Sequence, residues 1–242
     1  MNEVLKQLYK RKSVRVFTDE NISQEDKAAI LRAAIEAPTA GNQQLYTIID
    51  VTNQDLKDKL AVSCDNQPFI ASAKMVLVFC ADCKKWYDAF VAAGCEPRAP
   101  GVGDLMLAVS DTNIAAQNAV TAAESLGIGS CYIGDIMENC EIHREILGLP
   151  KYVFPAAMLV FGYPTEQQTM RQKPERADMK HIVHENGYRE MDADELEEMF
   201  TPKASQKTYK DWMTAFCNRK HNSDFAREMT RSVKEFLKDF ES

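Results

Sequence analysis

Three polar side chains near the beginning of the sequence are spaced so that they could bind one ligand together. Arg11, Ser13 and Arg15 occupy alternate positions of the segment RKSVRVF, so in an extended backbone they point in the same direction. Two guanidinium groups and a hydroxyl on one side can hold a phosphate dianion through paired hydrogen bonds. Taken alone, however, an alternating basic segment is more often a solvated strand than a ligand site.

The sequence contains no glycine-rich loop that would hold a phosphate with backbone groups. There is no Walker loop, and the GVG segment that starts at Gly101 has Met106 where a dinucleotide fingerprint needs its third glycine. The GIG segment that starts at Gly127 has Tyr132 at the corresponding position. Any phosphate must therefore be bound mainly by side chains.

The cysteine and histidine patterns are weaker signals. Cys80 and Cys83 form a C-x-x-C pair, as in redox dithiols, but Cys80 falls in the apolar alternation of a predicted strand. We therefore interpret Cys80 as a buried structural residue. A zinc site needs about four ligands, and only Cys95 could join this pair. His181 and His184 have no cysteine near them in sequence, so no metal site is expected.

Hydrophobic periodicity predicts the elements that position these side chains. The predicted helices cover 2–10, 23–37 after the cap Ser23, 54–62 after the cap Asn53, a buried central helix over 103–126, and 138–148. The predicted strands cover 46–51, 75–80 and 154–164, with a short loop or strand over 128–136, and the tail after residue 191 is expected to be mostly helical. Long helices with few strands indicate an α+β fold, in which a sheet packs against helices.

Composition limits the class of partner. The chain has 242 residues, of which 45% are apolar and 27% charged, as in a soluble globular protein of one large domain or one domain with an appendage. A net charge of −7 predicts no attraction for nucleic acid or for an anionic membrane surface. No membrane span or signal peptide is visible, and seven irregularly spaced cysteines indicate reduced thiols. We therefore expect a cytoplasmic protein.

The basic segment also resembles the opening signature of a known enzyme family. Arg11–Phe17 is similar to the Arg-x-Ser-x-Arg-x-Phe segment of the FMN-dependent nitroreductases. The sequence EAPTAGNQQ at 36–44 resembles the Ala-Pro-Ser-x-x-Asn-x-Gln loop that closes the second helix in that family. One departure is Gln44–Leu45, where many relatives have Pro-Trp.

Later segments follow in the order that the family shows. Gln67 precedes the strand at 75–80, where the family has a glutamine or asparagine near the flavin. The glycine-rich turn from Gly127 to Gly134 resembles the turn beside the flavin ring. The segments 161–164 and 173–176 resemble the strand and basic loop that complete the phosphate site, so the likeness covers about residues 2 to 185.

The resemblance implies the architecture and the partners. It implies a nitroreductase-like sandwich with a central mixed or antiparallel sheet, flanking helices, a buried central helix and a homodimer of the domain-swapped type. The implied domains are an FMN-binding domain over 1–190 and a helical C-terminal extension over 191–242 that packs on the dimer. Two FMN sites would lie at the subunit interface, and the other partner would be a small-molecule electron acceptor.

The resemblance also implies which residues hold FMN. The basic segment and the 173–176 loop would hold the ribityl phosphate and the polar edge of the flavin, and the loop after Pro38 would reach the FMN of the other subunit. Gln67 would bond the isoalloxazine or the ribityl chain, and two glycines would let the backbone approach the ring. The whole predicted set is Arg11, Lys12, Ser13, Arg15, Pro38, Thr39, Ala40, Gly41, Asn42, Gln67, Gly129, Ile133, Gly134, Lys173 and Arg176.

The implied reaction passes a hydride from NAD(P)H to the flavin and then to a nitroaromatic, quinone or flavin-type acceptor, in ping-pong order. No catalytic acid, base or nucleophile is nominated, because the chemistry takes place on the flavin. Two alternatives keep the flavin: a specialised flavoenzyme of the same fold, such as a reductive dehalogenase or an ene-reductase, and a non-catalytic flavin-binding or redox-sensing module that uses Cys80 and Cys83. A third is a helical interaction protein, which would be colourless when purified. The sequence does not choose between NADH and NADPH.

Overall fold

The computed structural model describes residues 1–241, which form eleven α-helices and four strands. The helices are α1 Glu3–Lys10, α2 Gln24–Ile35, α3 Gln54–Ser63, α4 Pro68–Ser72, α5 Lys84–Ala92, α6 Val102–Ser125, α7 Cys140–Leu147, α8 Glu166–Met170, α9 Ala193–Ala204, α10 Tyr209–Lys220 and α11 Asp224–Leu237. The strands are β1 Tyr46–Asp50, β2 Met75–Asp82, β3 Gly129–Ile133 and β4 Val153–Gly162. Many helices with one small sheet make up the predicted α+β class.

The four strands form one sheet in the order β1-β2-β4-β3. The central strands β2 and β4 pair along their lengths, from Met75 opposite Phe161 to Asp82 opposite Val153. Every residue of these two strands is buried, as their continuous apolar sequences predict. All three strand pairs are antiparallel. Of the two sheet types that the resemblance implied, mixed or antiparallel, the structure has the antiparallel one.

Alternation along the central strands divides the core into two clusters. Leu77 and Phe79 point to the face that α2 and α6 cover. Val76 and Val78 point to the opposite face, where they pack with α3, α4 and Phe236 of α11. The sheet is therefore covered on both faces by apolar packing. Polar functional groups are expected only at its edges and at the ends of its strands.

The predicted buried central helix is confirmed as α6. Ala115 and Ala119 are fully buried, and these small side chains let the helix lie close to the sheet. Gly127 ends the helix with a φ of +74°, a conformation that glycine adopts without steric cost. The Ile128 N–H then donates to the Ala123 carbonyl at 2.9 Å, so the chain turns directly into β3.

The two predicted N-caps are also confirmed, whereas three helices were missed. Ser23 Oγ accepts from the Asp26 N–H and Asn53 Oδ1 from the Leu56 N–H, each at 2.9 Å. The sequence analysis did not predict α4, α5 or α8. The start of α5 is fixed by Asp82, whose carboxylate accepts the backbone N–H groups of the next two lysines at 3.0 and 3.1 Å.

The chain divides into two compact units. The first contains Met1–Arg171 together with the residues from Glu228 on, and the second is Gln172–Arg227. The sheet and α1 to α8 belong to the first unit, and α9 and α10 to the second. These units divide the chain at other points than the sequence-based boundary between residues 190 and 191. No helix among the described residues combines the length and apolarity needed to cross a lipid bilayer.

Candidate functional site

The basic segment is held against β3 by its single buried residue, Val14. The Val14 N–H donates to the Ser130 carbonyl at 2.9 Å, and Ser13 forms a parallel bridge with Ser130. A Cβ on Gly129 would lie 2.6 Å from Val14 Cγ2, so only glycine allows this close approach. Gly129 was predicted as a flavin contact, and in the structure it packs against the Val14 side chain.

Arg11, Ser13 and Arg15 gather around one buried thiol, that of Cys131 in β3. Burial raises the pKa of Cys131, and the charges of the two arginines and a hydrogen bond with Ser13 act in the opposite direction. The three side chains therefore lie on one side of the segment, as the alternation predicts. Cys131 was not singled out from the sequence, because a lone cysteine in a strand carries no pattern.

Arg11 shows that this cluster can accept an anion. Its Nε and Nη2 atoms are buried and have no hydrogen-bond partner within residues 1–241. An unpaired buried donor costs roughly 1–3 kcal/mol, and more for a charged group, so an acceptor from outside the chain is expected. A phosphate group fits two free guanidinium donors with a hydroxyl and a second arginine nearby.

Lys12 lies in the same segment but binds the chain itself. Its ammonium donates to the carbonyls of Thr169, at 2.7 Å, and Arg171. The Arg171 guanidinium in turn donates to the Ser13 carbonyl. These bonds tie the segment after β4 to the basic segment and fix its backbone. Sequence reasoning missed Arg171, since an isolated arginine in a polar loop has no distinguishing pattern.

Gln67 is placed by the sharp connection between α3 and α4. Asp65 and Asn66 both have positive φ, at 62° and 51°, and Gln67 is the N-cap of α4. Its side-chain Nε2 donates to the Cys64 carbonyl at 2.8 Å, which leaves Oε1 as the acceptor. Two positions after Gln67, the Phe69 ring lies 5.9 Å from the Arg15 guanidinium carbon. The helix α4 therefore brings the Gln67 region to the basic segment.

The backbone beside Gln67 is supported from α7. His143 is fully buried, and its Nε2 lies 2.8 Å from the Ser63 hydroxyl. Asn139 Nδ2 donates to the Ser63 carbonyl, also at 2.8 Å. Burial lowers the pKa of His143, so the imidazole is neutral and can hold this bond without a charge. Neither His143 nor Asn139 belongs to a motif that predicts this support.

The loop after Pro38 is organised by a buried carboxylate of α6, Asp111. Asp111 is 3% exposed, and its oxygens accept from the Thr39 hydroxyl, from the Ala40 N–H at 3.1 Å and from the Leu45 N–H at 3.4 Å. Gly41 and Asn42 both have a φ of 56° and are exposed. Asp111 therefore fixes a loop whose tip points away from its own core. Sequence reasoning missed it, because Asp111 stands inside an otherwise apolar helix face.

Ile133 ends β3 and Gly134 follows it, at the opposite end of the strand from the bridge between Ser13 and Ser130. Ile133 is buried, whereas a Cβ on Gly134 would meet only the end of the Met137 side chain, at 4.0 Å. Gly134 therefore has space in front of it, in contrast to Gly129.

Comparison with known proteins decides the family. The model of the Nitroreductase family matches residues 8–163, which include the basic segment, the Asp111 loop and the whole sheet. This chain belongs to the nitroreductase family.

Individual family members match over most of their length. A protein of Bacillus subtilis named FMN reductase (NAD(P)H) is 32% identical over 235 residues, which cover 96% of this chain and 90% of that protein. An oxygen-insensitive NADPH nitroreductase of Salmonella typhimurium is 36% identical, covering 79% of this chain and 77% of that protein. The solved NADPH:FMN oxidoreductase of Vibrio harveyi complexed with NAD+ has a TM-score of 0.84 at 25% identity and covers 98% of both chains.

The remaining predicted cofactor residues of this nitroreductase-family chain lie in its second unit. Lys173 and Arg176 line one cavity of that unit together with His181 and Glu198. Their part in cofactor binding stays a prediction. The described residues contain no group of three or more histidine, cysteine, aspartate or glutamate side chains that could hold a metal.

Cys80 of the C-x-x-C pair is buried, as interpreted from the sequence, and so is Cys83. Both cysteines are free. Burial raises the pKa of each thiol to about 12, with the negative charge of Asp82 adding to the effect at both. A thiol with such a pKa is almost never a thiolate at neutral pH, so the pair is a poor nucleophile.

Proposed function

We propose that this chain is an FMN-dependent oxidoreductase that takes a hydride from NAD(P)H and passes electrons to a nitroaromatic, quinone or flavin-type acceptor. Membership of the nitroreductase family and the names of the relatives above support this function. The observation that carries it is the pair of buried Arg11 nitrogens, Nε and Nη2, which have no partner within residues 1–241 and lie with Ser13 and Arg15 near Cys131 of β3.

The basic segment is proposed to hold the phosphate of FMN. Arg11 supplies two free N–H donors, and Ser13 and Arg15 stand beside it. Lys173 and Arg176 stay proposed cofactor residues on the family resemblance alone. When bound, the flavin supplies the chemistry, because its N5 takes and gives a hydride. The protein residues therefore bind and orient and need no acid, base or nucleophile of their own.

Gln67 is proposed to orient the flavin through its side-chain oxygen. One N–H of Nε2 is bonded to the Cys64 carbonyl, so Gln67 keeps the acceptor Oε1 and the second N–H of Nε2 for a ligand. A flavin N–H or a ribityl hydroxyl can donate to Oε1. Ile133 and Gly134 are proposed to lie against the ring, where Gly134 leaves room for close approach.

We also propose that two copies of the chain form the working unit, with Thr39 to Asn42 of one copy touching the FMN of the other. Apolar side chains on α1 and α6 are exposed in the single chain, which supports an interface there. The exposed fractions are 56% for Val4, 60% for Met106 and 42% for Ile114. Sedimentation of the purified protein should give the mass of a dimer, and a monomer would contradict this part of the proposal.

The test of the proposed function is spectroscopic. The purified protein, supplied with FMN, should show the visible spectrum of a bound flavin. Addition of NADPH or NADH without oxygen should bleach that spectrum, and repeated additions of a quinone should restore it. A protein that takes up no FMN would contradict the cofactor assignment. A protein that binds FMN without being bleached would be a flavin-binding module and not an enzyme.

A further inference from the structure

The helix α5 and the loop after it enclose an apolar cavity that no cofactor residue lines. The cavity has a volume of about 280 Å³. The residues in its wall that matter here are Leu45, Trp86, Tyr87, Phe90, Pro97 and Leu107. Pockets for small molecules are concave and mostly apolar, usually with aromatic side chains and a few polar groups. This cavity has that composition and lies within the first unit.

The aromatic wall is unusual because α5 exposes it. None of the residues of α5 is fully buried, and Phe90 is 39% exposed although it is a large apolar side chain. The rings of Trp86 and Phe90 have centroids 5.6 Å apart and planes tilted by 43°. Two rings at this distance form a ready surface for a third ring, since aromatic side chains favour stacked or edge contacts at 4.5–7 Å.

The wall is bonded to the loop that is proposed to reach the flavin of the other copy. Trp86 Nε1 donates to the Gln43 carbonyl at 2.7 Å. Gln43 and Leu45 line the cavity, and Gln43 directly follows the 39–42 tip. The residues that hold this tip, above all Asp111, therefore also hold the wall in place.

The polar groups of the cavity balance one another. Arg98 donates to both carboxylate oxygens of Asp104, at 2.6 and 2.9 Å. This pair keeps the pKa of the Asp104 carboxyl below its ordinary value, so the carboxylate stays charged and paired with Arg98. A balanced pair gives no net attraction for an ion, so the cavity favours an uncharged, flat, apolar molecule.

We propose that this cavity binds the aromatic ring of the electron acceptor, stacked against Trp86 and Phe90. This inference rests on the proposed function, and it names the residues that select the acceptor. For a quinone the overall reaction is NAD(P)H + H⁺ + quinone → NAD(P)⁺ + quinol, so two electrons and two protons reach the acceptor.

The cavity is partly open to solvent, so an element of a second copy could also reach it. Contact with a side chain of the partner is the competing outcome that the experiment below separates.

The experiment compares an aromatic with a non-aromatic acceptor on the FMN-loaded protein. Phe90→Ala should raise the KM for menadione, a naphthoquinone, about tenfold. The rate with ferricyanide, which needs no apolar pocket, should stay within twofold. The rate at which NADPH bleaches the flavin should also be unchanged. Trp86→Phe, which keeps a ring and loses the bond to Gln43, should raise the menadione KM by a smaller factor.

The matched control is Ile142→Ala, which truncates a similarly exposed apolar side chain, 48% accessible, on α7. It should leave both acceptors unaffected. Equal losses with menadione and ferricyanide, or no change with either, would overturn the inference. A change in sedimentation mass for Phe90→Ala would show that the wall meets the partner instead. Failure of the unaltered protein to be bleached by NADPH would concern the proposed function and not this cavity.

Discussion

The basic segment, residues 11–17, and the loop that Asp111 holds, residues 38–45, are both predicted to contact the cofactor. They differ in whether their buried polar groups have hydrogen-bond partners. In the basic segment, two buried nitrogens of Arg11 have no partner within the described residues. In the loop, the Asp111 carboxylate is surrounded by donors from Thr39, Ala40 and Leu45. The first region has free hydrogen-bond donors for a ligand, whereas the hydrogen bonds of the second are all made within the chain. A cofactor site is thus assembled from an unsatisfied part that binds and a satisfied part that keeps its shape.

The largest effect is expected on stability, when the hydrogen bonds that hold the 38–45 loop are removed. Asp111→Ala removes the acceptor of three hydrogen bonds and leaves buried N–H groups unpaired, so the free energy of unfolding should fall by about 4 kcal/mol. Urea denaturation followed by circular dichroism measures this. Ser110→Ala, on the exposed side of the same helix, is the control. A loss below about 1 kcal/mol would mean that the loop holds itself.

The next effect concerns ligand binding and should leave stability alone. Arg11→Ala should weaken FMN binding about 100-fold, which corresponds to about 2.8 kcal/mol. The FMN-free protein should be no less stable, because the two buried nitrogens make no bond in the chain. Fluorescence titration with FMN and urea denaturation test the two halves. Lys10→Ala is the neighbouring control, and equal FMN affinity in both variants would contradict the phosphate assignment.

A third site tests whether a buried polar group without a partner in the described residues always indicates a ligand site. Glu138 Oε1 is buried without a partner, and burial, with the carboxylates of Asp135, Asp65 and Glu228, raises the pKa of Glu138 to about 7. The folded protein therefore keeps a proton that the unfolded chain releases above pH 4.5, so stability falls as the pH rises from about 5 to about 7.

Replacement of this carboxyl should remove that dependence. Glu138→Gln should be about 1–2 kcal/mol more stable than the unaltered protein at pH 8 and similar to it near pH 5. Urea denaturation across this range measures the difference. Glu141→Gln is the control, because Arg231 lowers the pKa of this exposed carboxyl to about 2. Parallel curves for Glu138→Gln and the unaltered protein would show that Glu138 is ionised at no cost.

The smallest effect is expected at the C-x-x-C pair, which belongs to neither region. Cys80→Ala should keep the rate of NADPH oxidation within twofold. In the native protein, iodoacetamide should alkylate the exposed Cys95 long before the buried Cys80 or Cys83, as mass spectrometry of peptides would show. Fast alkylation of the buried pair would revive the redox-sensing alternative.

The sequence predicted the fold where one local signal decided the outcome. The apolar runs of β2 and β4, the alanine-rich helix that ends at Gly127 and the caps Ser23 and Asn53 each carry their own pattern. The helix α5 was missed because its start depends on Asp82, a side chain that looks like part of a C-x-x-C motif. Its aromatic residues Trp86, Tyr87 and Phe90 stand at helical spacing, but none of them is fully buried.

The candidate site shows the same limit of prediction from local sequence patterns. Arg11, Ser13 and Arg15 were predictable because they alternate along the segment, and in the structure all three act on the pKa of Cys131. Asp111, His143 and Arg171 act across 66 or more positions of sequence, on groups that no local pattern connects with them. Residues that offer a ligand their own side chain leave a motif, whereas residues that hold other residues in place do so only through the fold.

The return of the chain to the first unit makes residues 172–227 an insertion and not a tail. Phe236 and Phe240, which come after it, are 1% and 3% exposed in the core. An insertion fixed at both ends can gain, lose or exchange residues while the core remains complete. Removal of the C-terminal residues instead opens that core. Variation among homologues is therefore expected to be an exchange of this middle segment, with the terminal helix retained as a permanent part of the scaffold.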